Sequence, residues 1–157
     1  MNDILELKKA PDFSLPGSDN NIHSITDFLG KNIVLYFYPK DNTLGCTTEA
    51  INFRDNNEVL NELNTVIIGI SKDSIKSHER FIEKQGLNFL LLADEDKSVC
   101  ELYDVLKEKN MYGKKTIGVE RSTFIINKDG YIVKEFRKVK VPGHVDEVVN
   151  FIKENMI

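Results

Sequence analysis

Apolar positions along this chain fall into short unbroken runs separated by polar stretches that carry apolar residues at helical spacing. Residues 33–38, IVLYFY, show no polar alternation, which marks a strand buried on both faces, and the run stops at Pro39. Residues 66–70 and 89–92 are two further runs of this kind. Between them, residues from Cys46 to about Leu63 carry Ala50, Ile51, Phe53, Val59, Leu60 and Leu63 as one apolar side. Asp55, Asn56 and Asn57 interrupt that side and predict a bend or two short helices. Residues 74–85 form a helical pattern in which Ile75, Phe81 and Ile82 can face a sheet, with Gly86 placed to end it. Residues 97–106 set Val99, Leu102, Tyr103 and Leu106 at inward spacing. Two strands, 122–126 and 131–136, join through Asp129-Gly130, a hairpin signal. Val145, Val148, Val149 and Ile152 then form a single apolar stripe on a last helix. Near the start, residues 17–21 read as the turn of a small hairpin, residues 1–9 as a tail, and 107–120, which lack a clear period, as a loop or irregular extension.

This order, an N-terminal β-hairpin, then β-α-β-α-β-α, then β-β-α, predicts an α/β fold. Alternating units give parallel strands and the late hairpin adds an antiparallel pair, so the central sheet is mixed and carries helices on both faces. At 157 residues, with no repeat, low-complexity tract or linker, residues 1–157 read as one domain large enough to fold without disulfides. The formal charge of −4 has no block of either sign, which disfavours nucleic acid and anionic membrane surfaces as partners. No segment has the length of a membrane span or of a signal-peptide core, so the expected location is cytoplasmic. In that reducing setting the two cysteines are expected to be free thiols at rest.

The chemistry centres on the loop after the first strand, PKDNTLGCTTEA. Cys46 falls where that loop meets a helix opened by Thr47, Thr48 and Glu49. Unpaired backbone N–H groups and the positive helix end favour the thiolate there, which is the condition for a nucleophile. The inert reading, a small buried apolar cysteine, fits a polar loop poorly. His23, His78 and His144 are scattered without metal-ligand spacing and read as surface or capping residues, so no metal site is expected among them. A thioredoxin-like dithiol is excluded locally, because the residue three after Cys46 is Glu49. No phosphate-binding glycine motif is present.

Pro39, Thr43 and Cys46 match the P-x-x-x-T-x-x-C signature of peroxiredoxins. With APDFSLP, KNMYGKKTIGVERSTFIINKDG and VPGHVDEV, the chain resembles the bacterioferritin-comigratory-protein, or peroxiredoxin Q, subfamily over nearly its whole length. The resemblance implies a thioredoxin-like fold and reduction of hydrogen peroxide and organic hydroperoxides by a cysteine that becomes sulfenic acid, without a metal or other cofactor and with regeneration by thioredoxin or another thiol. It implies Cys46 as the peroxidatic cysteine and Arg121 as the cation that favours the thiolate and donates to peroxide oxygens. It also places the Thr43 hydroxyl beside sulfur and peroxide, and gives Pro39 the task of shaping and shielding the loop. Read without the family, Arg121 could instead be a surface cation paired with Glu120 or Asp129, Thr43 a loop cap and Pro39 an ordinary strand stop. Members of the subfamily are often monomers, so a monomer or weak homodimer is expected.

Two departures from the subfamily pattern stand out. Leu44 occupies a position that is usually proline, which predicts a less constrained loop. The two expected positions for a resolving cysteine hold Ile51 and Ile82. Cys100, the only other thiol, lies beside an apolar stripe and reads as a packing residue, with a resolving role as the alternative. The expectation is one-cysteine behaviour. The same site chemistry would also serve a peroxide sensor that reacts once without efficient turnover.

Overall fold

Strand β4 (Asn32–Phe37) lies in the middle of the molecule with every residue buried, as an unbroken apolar run requires. The computed structural model describes residues 7–156. Strands β1 (Lys8–Lys9), β10 (Tyr131–Phe136) and β9 (Ser122–Ile126) lie in antiparallel order on one side of β4. Strands β5 (Thr65–Ser71) and β6 (Leu90–Ala93) lie parallel to it on the other. The sheet is therefore mixed, in the order β1-β10-β9-β4-β5-β6. Strands β2 (Leu15–Pro16) and β3 (Ile22–His23) form the predicted small hairpin, tied to the β6 edge by the Ser18 N–H donating to the Leu91 carbonyl at 2.8 Å.

Side-chain alternation along β4 splits the interior into two cores. Ile33, Leu35 and Phe37 point to one face, which is covered by the N-terminal hairpin region and the short helix α3 (Ser98–Leu102). Val34, Tyr36 and the following Tyr38 point to the other, covered by α1 (Leu44–Glu62), α2 (Ile75–Gln85) and α4 (His144–Asn155). Gly86 ends α2 in the left-handed region at φ 62°, as its position predicted.

Four expectations need correction. Helix α1 runs unbroken through Asp55–Asn57, because each polar residue finds a partner that leaves the helix ladder intact: Asp55 with Arg54, Asn56 with the Asn52 carbonyl, Asn57 with Asn88. The helix expected over 97–106 ends at Leu102, where Asp104 takes φ 56° and the Val105 N–H folds back onto the Cys100 carbonyl. The stretch read as irregular is a β-hairpin, β7 (Leu106–Met111) with β8 (Lys114–Val119), turning at Tyr112-Gly113 with φ of 53° and 78°. Residues 108–110 and 112–117 are exposed, so no alternation betrayed it. Lys8 and Lys9, assigned to a tail, pair with Ile132 and Tyr131, while residues 1–6 of that tail lie outside the described residues.

Candidate active site

The carboxyl end of β4 delivers the chain into residues 38–43, and α1 begins at once behind them. Thr43 is the residue ahead of the first turn, with extended backbone (φ −86°, ψ 157°). Its hydroxyl donates to the Lys40 carbonyl at 2.8 Å and makes no cap bond, so it braces the loop while its lone pairs stay available as acceptors. The first N–H groups of a helix have no partner within it, and here no side chain takes them. Cys46 lies in that first turn, only 1% exposed, in the same buried cluster as Tyr36, Tyr38 and Phe53. The sequence placed it where the polar loop meets the helix; the helix begins two residues earlier, at Leu44, so the thiol lies within its first turn.

The charged group that meets this buried thiol is Arg121. It sits at the N-terminal edge of β9, the strand paired to β4, and register across that antiparallel pair sets Ser122 opposite Phe37. The guanidinium is thereby carried to the carboxyl end of β4, across 75 residues of sequence, and its Nη2 donates to Cys46 Sγ at 3.4 Å. Its Nη1 donates to Glu49 Oε1 at 2.7 Å. Arg121 thus pairs with neither Glu120 nor Asp129. Burial alone would pull the guanidinium down, and the charges of Glu49 and Cys46 push it above its ordinary value. A Cβ on Gly45 would lie 3.2 Å from Arg121 Nη2, so the small residue ahead of the cysteine leaves the fork its room.

Glu49 was read only as a helix-opening residue. It is fully buried on the same face of α1 as Cys46, three residues on. Burial pushes its carboxyl up to about 7, with Arg121 pulling against the rise, and its Oε2 has no hydrogen-bond partner among the described residues. A carboxylate three residues after a cysteine at a helix start was the available signal, since both must face the sheet. The histidines also depart from expectation. His78 and His144 are buried rather than superficial. His144 Nε2 lies 2.8 Å from Thr123 Oγ1, and burial together with the charge of Arg121 brings the imidazole down to about 4. It stays neutral beside the guanidinium at ordinary pH.

Pro39 is half-buried, and its carbonyl accepts from Lys72 Nζ at 3.2 Å. Leu44 is 87% exposed at the first helical position. Cys100 is on the opposite face of the sheet from Cys46, fully buried, and its backbone N–H donates to Asp94 Oδ2 at 2.8 Å. Burial and the Asp94 carboxylate both push its thiol up. Among the described residues no cluster of His, Cys, Asp and Glu could hold a metal ion, and no helix is long and apolar enough to cross a membrane.

A cysteine in the first turn of a helix, faced by a guanidinium that reaches in from a neighbouring strand, defines a thiol-based redox site. The AhpC/TSA family profile matches residues 7–135, and the chain belongs to that family, among its peroxiredoxins. It is 51% identical over 147 residues to peroxiredoxin Bcp of Bacillus subtilis (strain 168), covering 94% of each chain. It is 43% identical over 155 residues to peroxiredoxin Bcp of Escherichia coli (strain K12), covering 99% of each. Among solved structures, Xanthomonas campestris peroxiredoxin Q matches with a TM-score of 0.88 at 43% identity, over 91% of this chain and 90% of that one. A Xylella fastidiosa PrxQ mutant matches with a TM-score of 0.89 at 39% identity, over 97% and 99%. The fold is thioredoxin-like, and the chain is an enzyme of the thiol peroxidase class.

Proposed function

We propose that this chain reduces hydrogen peroxide and alkyl hydroperoxides with Cys46 as the attacking sulfur. The observation that carries the reading is the 3.4 Å contact between Arg121 Nη2 and Cys46 Sγ at the start of α1. A related structure, of the Xanthomonas campestris bacterioferritin comigratory protein, is described in terms of alkyl peroxide reduction. In the first step the Cys46 thiolate attacks one peroxide oxygen, the O–O bond breaks, and sulfur gains oxygen as sulfenic acid while hydroxide or alkoxide departs and takes a proton from solvent. Arg121 donates toward sulfur and toward the leaving oxygen as charge moves onto it. The free N–H groups at the start of α1 add donors of fixed direction, and the Thr43 lone pairs orient the peroxide hydrogen. Pro39 and the loop behind it limit water around the sulfur.

In the second step an external thiol, such as that of thioredoxin, attacks the sulfenic sulfur, water leaves, and a mixed disulfide forms. A further thiol of the reductant then releases Cys46. The route is one-cysteine because the sheet separates Cys46 from Cys100, so no motion of a single helix joins them. The enzyme acts as one domain of about the full chain, in the cytoplasm, as a monomer or weak homodimer. The test is steady-state peroxide consumption with a thioredoxin system: repeated turnovers that disappear in Cys46→Ser support the enzyme, and one turnover per chain indicates the sensor. After one equivalent of peroxide, mass spectrometry is expected to show added oxygen on the Cys46 peptide. A loss of two hydrogens with linked Cys46 and Cys100 peptides refutes the one-cysteine route.

A further inference from the structure

The residues just ahead of Cys46 are held by a buried polar network that the peroxidase chemistry does not use. Asp41, 4% exposed, accepts from Tyr38 Oη at 2.6 Å on Oδ1, and from Ser77 Oγ at 2.8 Å and His78 Nδ1 at 2.7 Å on Oδ2. His78, on α2, is fully buried, and its other ring nitrogen lies 2.9 Å from the Leu92 carbonyl of β6. A carbonyl oxygen can only accept, and the Asp41 carboxylate already accepts from two hydroxyls. Both ring nitrogens must then donate, which makes His78 an imidazolium beside a carboxylate. Burial pushes the Asp41 carboxyl up, but the hydrogen bonds from His78, Tyr38 and Ser77 outweigh it and hold it below its ordinary value.

The same segment is tied at three more points. The Asp41 N–H donates to Asp73 Oδ2 at 2.8 Å, Lys72 Nζ donates to the Pro39 carbonyl at 3.2 Å, and the Thr43 hydroxyl reaches the Lys40 carbonyl at 2.8 Å. Between two of these ties Asn42 sits at φ 64°, the left-handed region that asparagine adopts more readily than most non-glycine residues. Four residues after Asn42 comes Cys46.

We infer that Asp41 and His78 are a positioning pair, an internal ion pair that clamps the loop ahead of α1 against α2 and β6 and thereby holds Cys46 in register with Arg121. Neither residue touches the sulfur. Their effect passes through Asn42 and Thr43 to the first turn of α1, where a displacement opens the contact between thiol and guanidinium. Breaking the pair therefore has two opposite consequences. Peroxide, which needs Arg121 in place, reacts more slowly, whereas a bulky alkylating reagent, which needs only access to a thiol that is now 1% exposed, reacts faster.

The experiment compares wild type, His78→Leu and Asp41→Asn in a Cys100→Ser background, and it rests on Cys46 being the reacting thiol, which Cys46→Ser checks separately. The expected result is a fall of roughly tenfold to a hundredfold in the peroxide rate constant, the scale of a small misplacement of reacting groups, with a rise in the rate of Cys46 labelling by a maleimide. A variant that melts earlier but keeps both rates at wild-type values overturns the inference, because the network is then structural only. Nitrogen-resolved NMR of the wild-type chain gives a second reading that needs no variant. Two N–H signals are expected on His78, one toward Asp41 and one toward the Leu92 carbonyl, and a single N–H overturns the ion pair.

Discussion

Both cysteines of this chain are buried, at 1% and 0% exposure, both lie on helices packed against the same sheet, and they meet charges of opposite sign. Cys46 is met by a guanidinium at 3.4 Å and by the N–H end of a 19-residue helix. Cys100 is met by the carboxylate of Asp94, on a five-residue helix among Val99, Tyr103 and Phe37, and its thiol is pushed up by burial and that charge together. On the proposed reading, burial alone does not make a thiol inert. The sign of the charge that the fold brings to the sulfur matters more, because in a poorly solvated site a single neighbouring charge outweighs the protein's distant ones.

The contrast is tested most severely by exchanging cysteine for serine. Cys46→Ser is expected to abolish peroxide turnover, while Cys100→Ser keeps it within about twofold, since the second thiol is a packing residue whose loss removes little volume. A Cys100→Ser enzyme that stalls after one turnover would break the comparison. Next in size is removal of the cation: Arg121→Ala should lower the rate constant for peroxide by about a hundredfold to a thousandfold, the scale of losing one positioned donor at a developing anion, read by competition against another peroxidase. Arg121→Lys should recover only part of this, because an ammonium cannot bridge Glu49 and Cys46 with a planar fork.

Smaller effects sharpen the electrostatic side. Glu49 is raised to about 7 in the folded chain, so between its ordinary value of 4.5 and that point the folded state holds a proton the unfolded state has lost. Its contribution to stability is complete below about 4.5 and declines as pH rises toward 7. His144 behaves inversely: brought down to about 4, it contributes stability above its ordinary 6.5 that is lost as pH falls to 4. The two slopes oppose each other across the overlapping range. Relative to wild type, the stability of Glu49→Gln should climb with pH from 4.5 to 7 and that of His144→Asn should drop from 4 to 6.5, each by an unfolding free energy on the order of 2 kcal/mol, measured by thermal unfolding at stepped pH. Parallel slopes in the two variants would contradict the arrangement around Arg121.

The smallest effect concerns Leu44, whose side chain is 87% exposed at the first helical position. The preceding Thr43 already has the extended backbone that proline demands of its neighbour, and the N–H that proline would remove has no helical partner. Leu44→Pro should stabilise the chain by about 0.5 kcal/mol in denaturant unfolding and leave peroxide turnover within about twofold. The loop that lacks this proline is also held by hydrogen bonds of Thr43 and Asp41.

Local pattern was sufficient for much of this molecule. The unbroken apolar run at 33–38, the period of Val145, Val148, Val149 and Ile152, and Asp129-Gly130 state their conformations through neighbours in sequence, and the strands, the final helix and the late hairpin follow from them. The thiol at a helix start was legible for the same reason. Where the deciding interaction is remote in sequence, local pattern failed. Asn57 holds α1 straight through Asn88, the exposed ribbon of β7 and β8 has no core face to impose alternation, and His78 is buried because Asp41 and the Leu92 carbonyl meet it there. The sequence by itself determined the order of the core strands and the helices and set Cys46 at a helix start. Only the tertiary structure decided which charge faces each sulfur, since the register of β9 on β4 carries Arg121 to Cys46 while the sheet sets Cys100 on its far side, and charge acts through space rather than along the chain.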